Sequence, residues 1–214
     1  MFRRTIATLF VATSAFAVTA CGASYDVVKR AEPNPFSCRT SFTVMPISYE
    51  GLQVGKKTED DYLFTKSEKT KAAWQADKRV IDREFSRTLV RNAAETGIHV
   101  DVWVPVVPSS QYVIQPKVYF VEPGFFAGPA MHASEVMMTV VIATRDGLVL
   151  DEVELDAKTM GSIAHPTTRS RFESDGEKLA EALAEYLETR VKEGRGRVAA
   201  NRDQSCTFAT AGAR

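Results

Sequence analysis

Side chains that could act on a substrate are sparse in this sequence of 214 residues. Its three histidines, His99, His132 and His165, are too far apart in sequence to form a metal-binding pair on one helix. The chain also lacks a Gly-x-Ser-x-Gly nucleophile elbow, a His-Glu-x-x-His pair and a Cys-x-x-Cys pair. We therefore expect a protein that is not an enzyme, with no metal site and no cofactor.

Two groups of side chains offer alternatives to this expectation. His132 and His165 both fall in predicted loops, so a metal site shared between them is one alternative, whereas His99 beside Asp101 is expected to be a packed or solvated histidine. The second group consists of four acidic residues: Asp151, Glu152, Glu154 and Asp156. We interpret this run as the solvent face of a strand and not as a pair of catalytic carboxylates.

The N-terminal residues have the organisation of an export signal. Arg3 and Arg4 precede an apolar stretch, 5–17, which is too short to span a bilayer. The stretch ends in Val18-Thr19-Ala20-Cys21, which resembles the lipobox of bacterial lipoproteins. The resemblance implies cleavage before Cys21 and attachment of diacylglycerol to its thiol, with further acylation by fatty acids such as palmitate. Ordinary signal cleavage after Ala15-Phe16-Ala17 is the alternative.

The same resemblance carries expectations about location and domain organisation. Gly22, and not an inner-membrane retention Asp, follows Cys21, so we expect anchoring in the outer membrane on its periplasmic side. We expect residues 1–20 to be the signal peptide and 21–40 to be a lipidated tether containing Pro33 and Pro35. A single α/β domain is predicted over 41–193, followed by a C-terminal tail over 194–214.

The cysteine count leads to a second covalent expectation. The chain has three cysteines, and an exported chain meets an oxidising compartment in which an odd thiol is a liability. Lipidation of Cys21 leaves Cys38, before the first predicted strand, and Cys206, beyond the last predicted helix. We predict that these two form a disulfide that ties the tail back to the domain; two unpaired thiols are the alternative.

Composition and charge exclude several classes of protein. The sequence is 44% hydrophobic and 25% charged, values typical of globular proteins. Its 27 basic and 27 acidic side chains cancel, so no net field favours nucleic acid as a partner. After the N-terminal signal no apolar stretch is long enough for a transmembrane helix. The partners that we expect are a membrane, through the lipid anchor, and another envelope protein.

The hydrophobic periodicity predicts seven elements that build one core. Alternating apolar residues indicate five strands over 41–47, 98–107, 112–121, 134–144 and 148–157. Stripes at helical spacing indicate helices over 71–96, ending at Gly97, and from 174 to Gly194. The order β-α-β-β-β-β-α predicts an α+β fold: a two-layer sandwich with a mixed sheet of about five strands and both helices on one face.

The region 48–68 is predicted to be a solvated loop. It contains Gly51 and Gly55 followed by Lys56 and Lys57, which superficially suggests a phosphate-binding loop. Only three residues separate the two glycines, and Lys57 stands where Ser or Thr is needed, so the motif fails.

The spacing of the later elements carries a second resemblance. The stretch 111–128, which reads QYVIQPKVYFVEPGFFAG, is followed by the strand 134–144 and the turn Asp146-Gly147. This pattern resembles the α/β domain of curli-secretion, penicillin-binding-protein-activator and transport-auxiliary lipoproteins. It implies a non-enzymatic adaptor or assembly factor of the cell envelope; the alternative is a subunit of an envelope transport or secretion complex that binds lipid or peptide.

Within that stretch one segment is a candidate contact surface. Phe125 and Phe126 are adjacent aromatic residues in a predicted loop between Gly124 and Gly128. Exposed apolar groups of this kind often contact a partner or a membrane. The alternative is that one of the two rings closes the end of the core.

Overall fold

The computed structural model describes residues 23–36, 41–105 and 110–200. In this part of the chain it has ten strands: β1 (Ser24–Lys29), β2 (Ser41–Val44), β3 (Gln53–Val54), β4 (Lys57–Thr58), β5 (His99–Val102), β6 (Tyr112–Glu122), β7 (Phe125–Ala127), β8 (Ala130–His132), β9 (Ser134–Thr144) and β10 (Val149–Thr159). The three helices are α1 (Glu59–Phe64), α2 (Glu68–Glu95) and α3 (Thr168–Ala200).

One mixed sheet organises the molecule. Its strand order is β1-β10-β9-β6-β2-β5, with β3 also paired to β6 and β4 paired to β3. The long strands β6, β9 and β10 are antiparallel neighbours, whereas β2 runs parallel to both β5 and β6. The α+β prediction is confirmed, but the sheet has eight strands where about five were expected. The additional strands β3 and β4 are two residues long, too short to give a periodic signal.

The largest departure from the predicted organisation lies in the region expected to be a tether. Residues 24–29 form β1, an edge strand that pairs antiparallel with β10. The Tyr25 ring lies edge-on to the Tyr186 ring of α3, with centroids 5.5 Å apart. A single half-buried side chain and a bulge after Val27 leave little alternation, which is why the sequence pattern did not indicate a strand here.

The prediction of a solvated loop over 48–68 is also wrong, because this region contains β3, β4 and α1. The Thr58 side chain caps α1 by accepting a hydrogen bond from the Asp61 amide. Glu59 then joins this segment to α2: its Oε1 accepts hydrogen bonds from Trp74 Nε1 and Lys78 Nζ, both at 2.6 Å. Leu52 and Val54 are buried in the core, which further fixes this segment to the rest of the domain.

The two long helices pack on one face of the sheet. α2 begins after the cap Ser67 and ends where Gly97 adopts a φ of +75°, as the Gly97 stop predicts. α3 is longer than predicted, because it begins at Thr168 and continues through Gly194 to Ala200. The helices approach closely at Gly176, where an added Cβ would lie 3.0 Å from the Ile81 carbonyl oxygen.

The core lies between this helix pair and the inner face of the sheet. Along β9 buried side chains alternate with half-buried ones from Ser134 to Ile142, and the apolar members of the buried series are Val136, Met138, Val140 and Ile142. β9 and β10 are joined at Asp146-Gly147, where Gly147 has a φ of +91°. The half-buried residues of β9 belong to the outer face of the sheet, which the two helices do not cover.

Candidate functional site

The strand register defines two ends of the sheet. β6 and β10 end and β9 begins at one end, which we call the upper end; there Glu122 pairs with Glu135, and Ser134 with Thr159. β1 also begins near this end, because Ser24 pairs with Asp156. The lower end contains the 144–148 turn between β9 and β10. The N-terminal segment therefore enters the fold at the upper end.

A small hairpin projects from the upper end. β7 and β8 connect β6 to β9, so the segment containing Phe125 and Phe126 is a hairpin and not the predicted loop. Phe125 pairs with His132 and Phe126 with Met131. Since neighbouring residues of a strand point to opposite faces, Phe125 and Met131 are exposed on opposite sides of the hairpin. Phe126 is half-buried, so the two predicted contact residues differ in accessibility.

A second segment, 160–167, joins the hairpin and adds two exposed apolar side chains. Gly161 lies so close to β7 that an added Cβ would be 2.7 Å from the Phe125 carbonyl oxygen. On either side of this contact, Met160 is 51% exposed and Ile163 is 90% exposed. We call the set Phe125, Met131, Met160 and Ile163 the upper apolar patch.

A buried arginine of α3 holds both segments in place. Arg171 is 1% exposed, and its Nη2 donates to the Pro123 carbonyl at 3.0 Å, while its Nη1 donates to the His165 carbonyl at 3.3 Å. Burial lowers the pKa of Arg171, and the nearby Asp175 opposes that shift. The base of the hairpin and the end of the 160–167 segment are thus fixed to one guanidinium group.

Asp175 fixes the same helix to the sheet. Its carboxylate accepts hydrogen bonds from Ser134 Oγ and Thr159 Oγ1, both at 2.5 Å, and these residues pair across β9 and β10. Burial raises the pKa of Asp175 to about 6, although these two hydrogen bonds and the charge of Lys178 oppose the increase. The Asp175 side chain therefore joins α3 to β9 and β10, and its pKa is well above the ordinary value for a carboxyl.

A lysine-lined cleft of about 420 Å³ lies beside the hairpin. Lys56, Lys57 and Lys66 line it together with Glu122 and Tyr62, and the Lys66 ammonium lies 5.1 Å from the Tyr62 ring centroid. Pro123 and Gly124 form the side of the cleft nearest β7. The basic side chains of the failed phosphate-loop motif therefore lie next to the upper apolar patch.

A different cluster holds the N-terminal segment near the lower end. Arg190 Nε donates to Asp151 Oδ2 at 2.7 Å, and its Nη2 donates to Oδ1 at 3.1 Å; both side chains are fully buried. Tyr186 Oη donates to the same carboxylate at 2.6 Å. Burial alone would lower the pKa of Arg190, but its hydrogen bonds to Asp151 and that charge raise it overall.

The cluster reaches the backbone that follows β1. The Ala31 amide donates to Asp151 Oδ1 at 2.8 Å, and Arg190 Nη2 donates to the Ala31 carbonyl at 3.0 Å. Asn34 Nδ2 donates to the Arg190 carbonyl at 2.7 Å. Both oxygens of Asp151 accept hydrogen bonds from the protein itself, so the cluster is a clamp on residues 31–34.

Asp151 corrects the interpretation of the acidic run. Glu152, Glu154 and Asp156 follow the predicted solvent face, but Asp151 is buried on the inner face with Val153 and Leu155. Two signals in the sequence point to the buried pair of Asp151 and Arg190. Asp151 has the strand parity of those apolar residues, and Arg190 falls at helical spacing on the stripe that contains Tyr186 and Leu187.

The structure separates the histidines into different surroundings. His99 is exposed on β5, and its Nε2 lies 2.9 Å from Asp101 Oδ1. The His132 ring stacks on Phe125 with centroids 6.0 Å apart, and the His165 amide bonds to Ser162. Among the described residues, no group of three or more His, Cys, Asp or Glu side chains could hold a metal ion.

The three predicted covalent sites lie outside the described residues: Cys21, Cys38 and Cys206. Lipidation and the disulfide therefore stay predictions. Across the ranges that the structure describes, no helix is both long and apolar enough to cross a membrane.

Comparisons with known proteins give only distant similarities. No protein-family model and no curated protein matches the chain. Among solved structures, PelC from Paraburkholderia phytofirmans, described as a dodecamer, has a TM-score of 0.44 at 13% identity, covering 78% of this chain and 97% of PelC. The hypothetical protein CT253 from Chlamydia trachomatis has a TM-score of 0.43 at 9% identity, covering 72% of this chain and 98% of CT253.

Proposed function

We propose that this protein is a lipid-anchored adaptor or assembly factor of the bacterial cell envelope. It faces the periplasm from the outer membrane, binds another envelope protein and has no catalytic role. Its anchor is the acylated Cys21, for which the lipobox-like Val18-Thr19-Ala20-Cys21 is the sequence basis.

One structural observation supports this proposal above the others: β1 begins at Ser24, three residues after Cys21. An extended chain spans at most ~3.6 Å per residue, so an anchor on Cys21 holds the sheet within about 11 Å of its attachment point. The clamp on residues 31–34 then joins this strand to α3 and β10. The anchor would thus keep the body close to the bilayer, which suits a protein that presents one surface to a neighbour.

The sheet edge is the surface that we assign to the partner protein. β5 is the edge strand opposite β1 in the sheet, and Val102 at its end and the following Val104 are both half exposed or more. An edge strand offers backbone groups for pairing with an added strand, and exposed apolar side chains add contact area. Leu148, at the lower end, is an exposed apolar residue outside this edge and serves as its control.

Two measurements test the proposal. Intact-mass analysis of the native protein is expected to give a chain that starts at an acylated Cys21, and Cys21→Ser is expected to release the protein from membranes. The Val102→Lys/Val104→Lys variant is expected to lose its co-purifying envelope partner while Leu148→Lys retains it. An unmodified first residue, or equal retention by the edge and control variants, would contradict the proposal.

A second candidate function is a subunit of a transport or secretion complex that binds lipid or peptide. The lysine-lined cleft favours it, because three ammonium groups around an open volume suit an anionic headgroup or a carboxylate. Detergent-solubilised native protein distinguishes the two candidates: a stable complex of fixed stoichiometry supports the subunit, and exchangeable binding supports the adaptor.

A further inference from the structure

The upper apolar patch lies at the end of the sheet where the chain from the anchor enters. Ser24 pairs with Asp156 of β10. Met160 follows Asp156 by four residues and comes directly after the end of that strand. Ala23, the first described residue, packs against the core. Because Cys21 precedes Ala23 by only two residues, we expect an anchor attached there to be on the same side of the molecule as Phe125, Met131, Met160 and Ile163.

The form of the patch suits an apolar medium better than a single protein surface. Its side chains project from both faces of a two-stranded hairpin and from the adjoining 160–167 segment. A flat protein surface covers one face of such a hairpin, whereas the acyl and headgroup boundary of a bilayer surrounds it on all sides. Four of the ten exposed large hydrophobic residues among those described belong to this patch.

The charges that line the cleft favour the same orientation. Lys56, Lys57 and Lys66 are exposed beside the patch, where they can reach anionic phospholipid headgroups. Glu122 is the acidic residue of that cleft. The outer face of the sheet carries Asp26 and Glu154 as register neighbours, so an orientation with this face on an anionic surface is disfavoured.

The patch is also held in a fixed arrangement. Arg171 binds the carbonyls of Pro123 and His165, which belong to the two segments that carry the apolar side chains. Gly124, with a φ of +62°, lies where an added Cβ would be 2.6 Å from the backbone of Ala133. A membrane-contacting surface with this support does not have to become ordered when it binds.

From this geometry we propose that the upper apolar patch inserts into the surface of the phospholipid bilayer while the adjacent lysines contact its headgroups. The protein therefore stands end-on at the membrane, with β5 and the outer sheet face pointing sideways toward partners. This orientation rests on the proposed anchor at Cys21 and deepens it, because it names the second membrane contact and the surfaces that stay free.

Quenching by brominated phospholipids tests the orientation. The full chain is reconstituted into vesicles of phosphatidylethanolamine and phosphatidylglycerol, as the Phe125→Trp variant or as the matched Leu148→Trp variant, in which the residue is 63% exposed at the lower end. The signal of the parent, which contains Trp74 and Trp103, is subtracted. The Phe125→Trp fluorophore is expected to shift to shorter wavelength and be quenched, and the Leu148→Trp fluorophore is expected to be unaffected.

Equal quenching of the two variants, or none, overturns the proposal. A photo-crosslinking residue at position 125 that joins an envelope protein and no lipid in intact cells also overturns it, in favour of a protein contact. The lysines are tested with Lys56→Gln, Lys57→Gln and Lys66→Gln in the unanchored Cys21→Ser chain. Each is expected to weaken partitioning onto phosphatidylglycerol vesicles by about five-fold, with no change on phosphatidylcholine.

The failure of the anchor and the failure of the patch give different results. Absence of acyl mass on Cys21 defeats the proposed anchor. The Cys21→Ser chain, added to vesicles from solution, still reports the patch, because preferential quenching at position 125 needs only the apolar side chains. Loss of that preference with an acylated Cys21 defeats the orientation and leaves the anchor intact.

Discussion

Two buried arginines on α3 show how differently this fold secures its two ends. Arg190 and Arg171 are 19 residues apart, which is about 28 Å along a helix. Near the lower end, Arg190 makes two hydrogen bonds to the carboxylate of Asp151, which also accepts from Tyr186. At the upper end, Arg171 donates to backbone carbonyls and to Thr168 Oγ1.

The difference lies in how the buried positive charge is compensated. A carboxylate in direct contact neutralises Arg190, so this cluster is closed and fixes residues 31–34 in the core. Carbonyl dipoles solvate Arg171 without neutralising it, which is consistent with the lowered pKa of this group. We infer that the lower clamp carries more of the global stability, whereas the upper clamp mainly shapes two exposed segments.

Breaking the lower clamp is expected to have the largest effect. Arg190→Ala leaves the Asp151 carboxylate buried without its counter-charge, so the free energy of unfolding should fall by about 3–5 kcal/mol. Urea denaturation measures this loss, and hydrogen exchange should show faster exchange over residues 31–34. Arg195→Ala, at an exposed position of the same helix, is the control and should change stability by less than about 0.5 kcal/mol. If Arg190→Ala lowered the free energy of unfolding by less than about 1 kcal/mol, the clamp would contribute little to the stability of the fold.

Asp175 at the upper end is expected to make the stability depend on pH. Its folded pKa of about 6 lies above the ordinary value of 3.8, so the unfolded state ionises first and stability falls as pH rises between these values. The fall attributable to Asp175 should be on the order of 2–3 kcal/mol, complete above about pH 7.

The Asp175→Asn variant isolates this contribution. The difference in unfolding free energy between the parent and Asp175→Asn should change between pH 4 and pH 7 and then stay constant, as followed by urea denaturation across that range. If the unfolding free energies of the parent and of Asp175→Asn changed in parallel with pH, the pKa of Asp175 would be the same in the folded and unfolded states, contrary to the prediction.

Crowding the upper end sharpens the comparison without touching an arginine. Gly161→Ala places a Cβ 2.7 Å from the Phe125 carbonyl oxygen, so β7 must move, at a cost of about 1–3 kcal/mol. Gly196→Ala, where an added Cβ meets nothing within 4 Å, is the matched control and should stabilise α3 slightly. Thermal unfolding compares the two variants. Equal melting temperatures would show that β7 moves away from the added Cβ without a loss of stability.

Removing the upper arginine is expected to have the smallest global effect. Arg171→Met loses three hydrogen bonds but also relieves a buried charge, so the net loss should be about 1 kcal/mol. Hydrogen exchange should increase selectively over 123–133 and 160–167. If Arg171→Met destabilised the protein as much as Arg190→Ala, the distinction between the two clamps would be wrong.

The elements with strong periodicity were predictable, and those that depend on contacts were not. Long amphipathic strands such as β9 and a capped helix such as α2 place apolar side chains on one face whatever their neighbours are. β1, β3 and β4 have no such pattern, because each owes its conformation to backbone pairing: β1 pairs with β10, β3 with β6, and β4 with β3. For the same reason the sequence pattern predicts a tether over residues 24–29 and not a strand.

The candidate site divides in the same way. The adjacent residues Phe125 and Phe126 drew attention by composition, but only the hairpin register shows that Phe125 is exposed and Phe126 is half-buried. Met160 and Ile163, distant in sequence, join the patch because Gly161 permits close approach to β7. Arg171 and Asp175 have little short-range signal, since their hydrogen-bond partners other than Thr168 lie on strands and loops outside α3.

The α+β class, the long strands and helices and the composition of the candidate surface follow from local patterns, because periodicity and turn residues act over a few positions. Contacts in the folded chain were needed to show that β1 is an edge strand, that Asp151 and Arg190 are a buried pair, and that four apolar residues lie together where the chain enters. The physical reason is that hydrogen bonds and contacts across long sequence separations leave no local pattern, and burial assigns each polar group its partner only once the chain has folded.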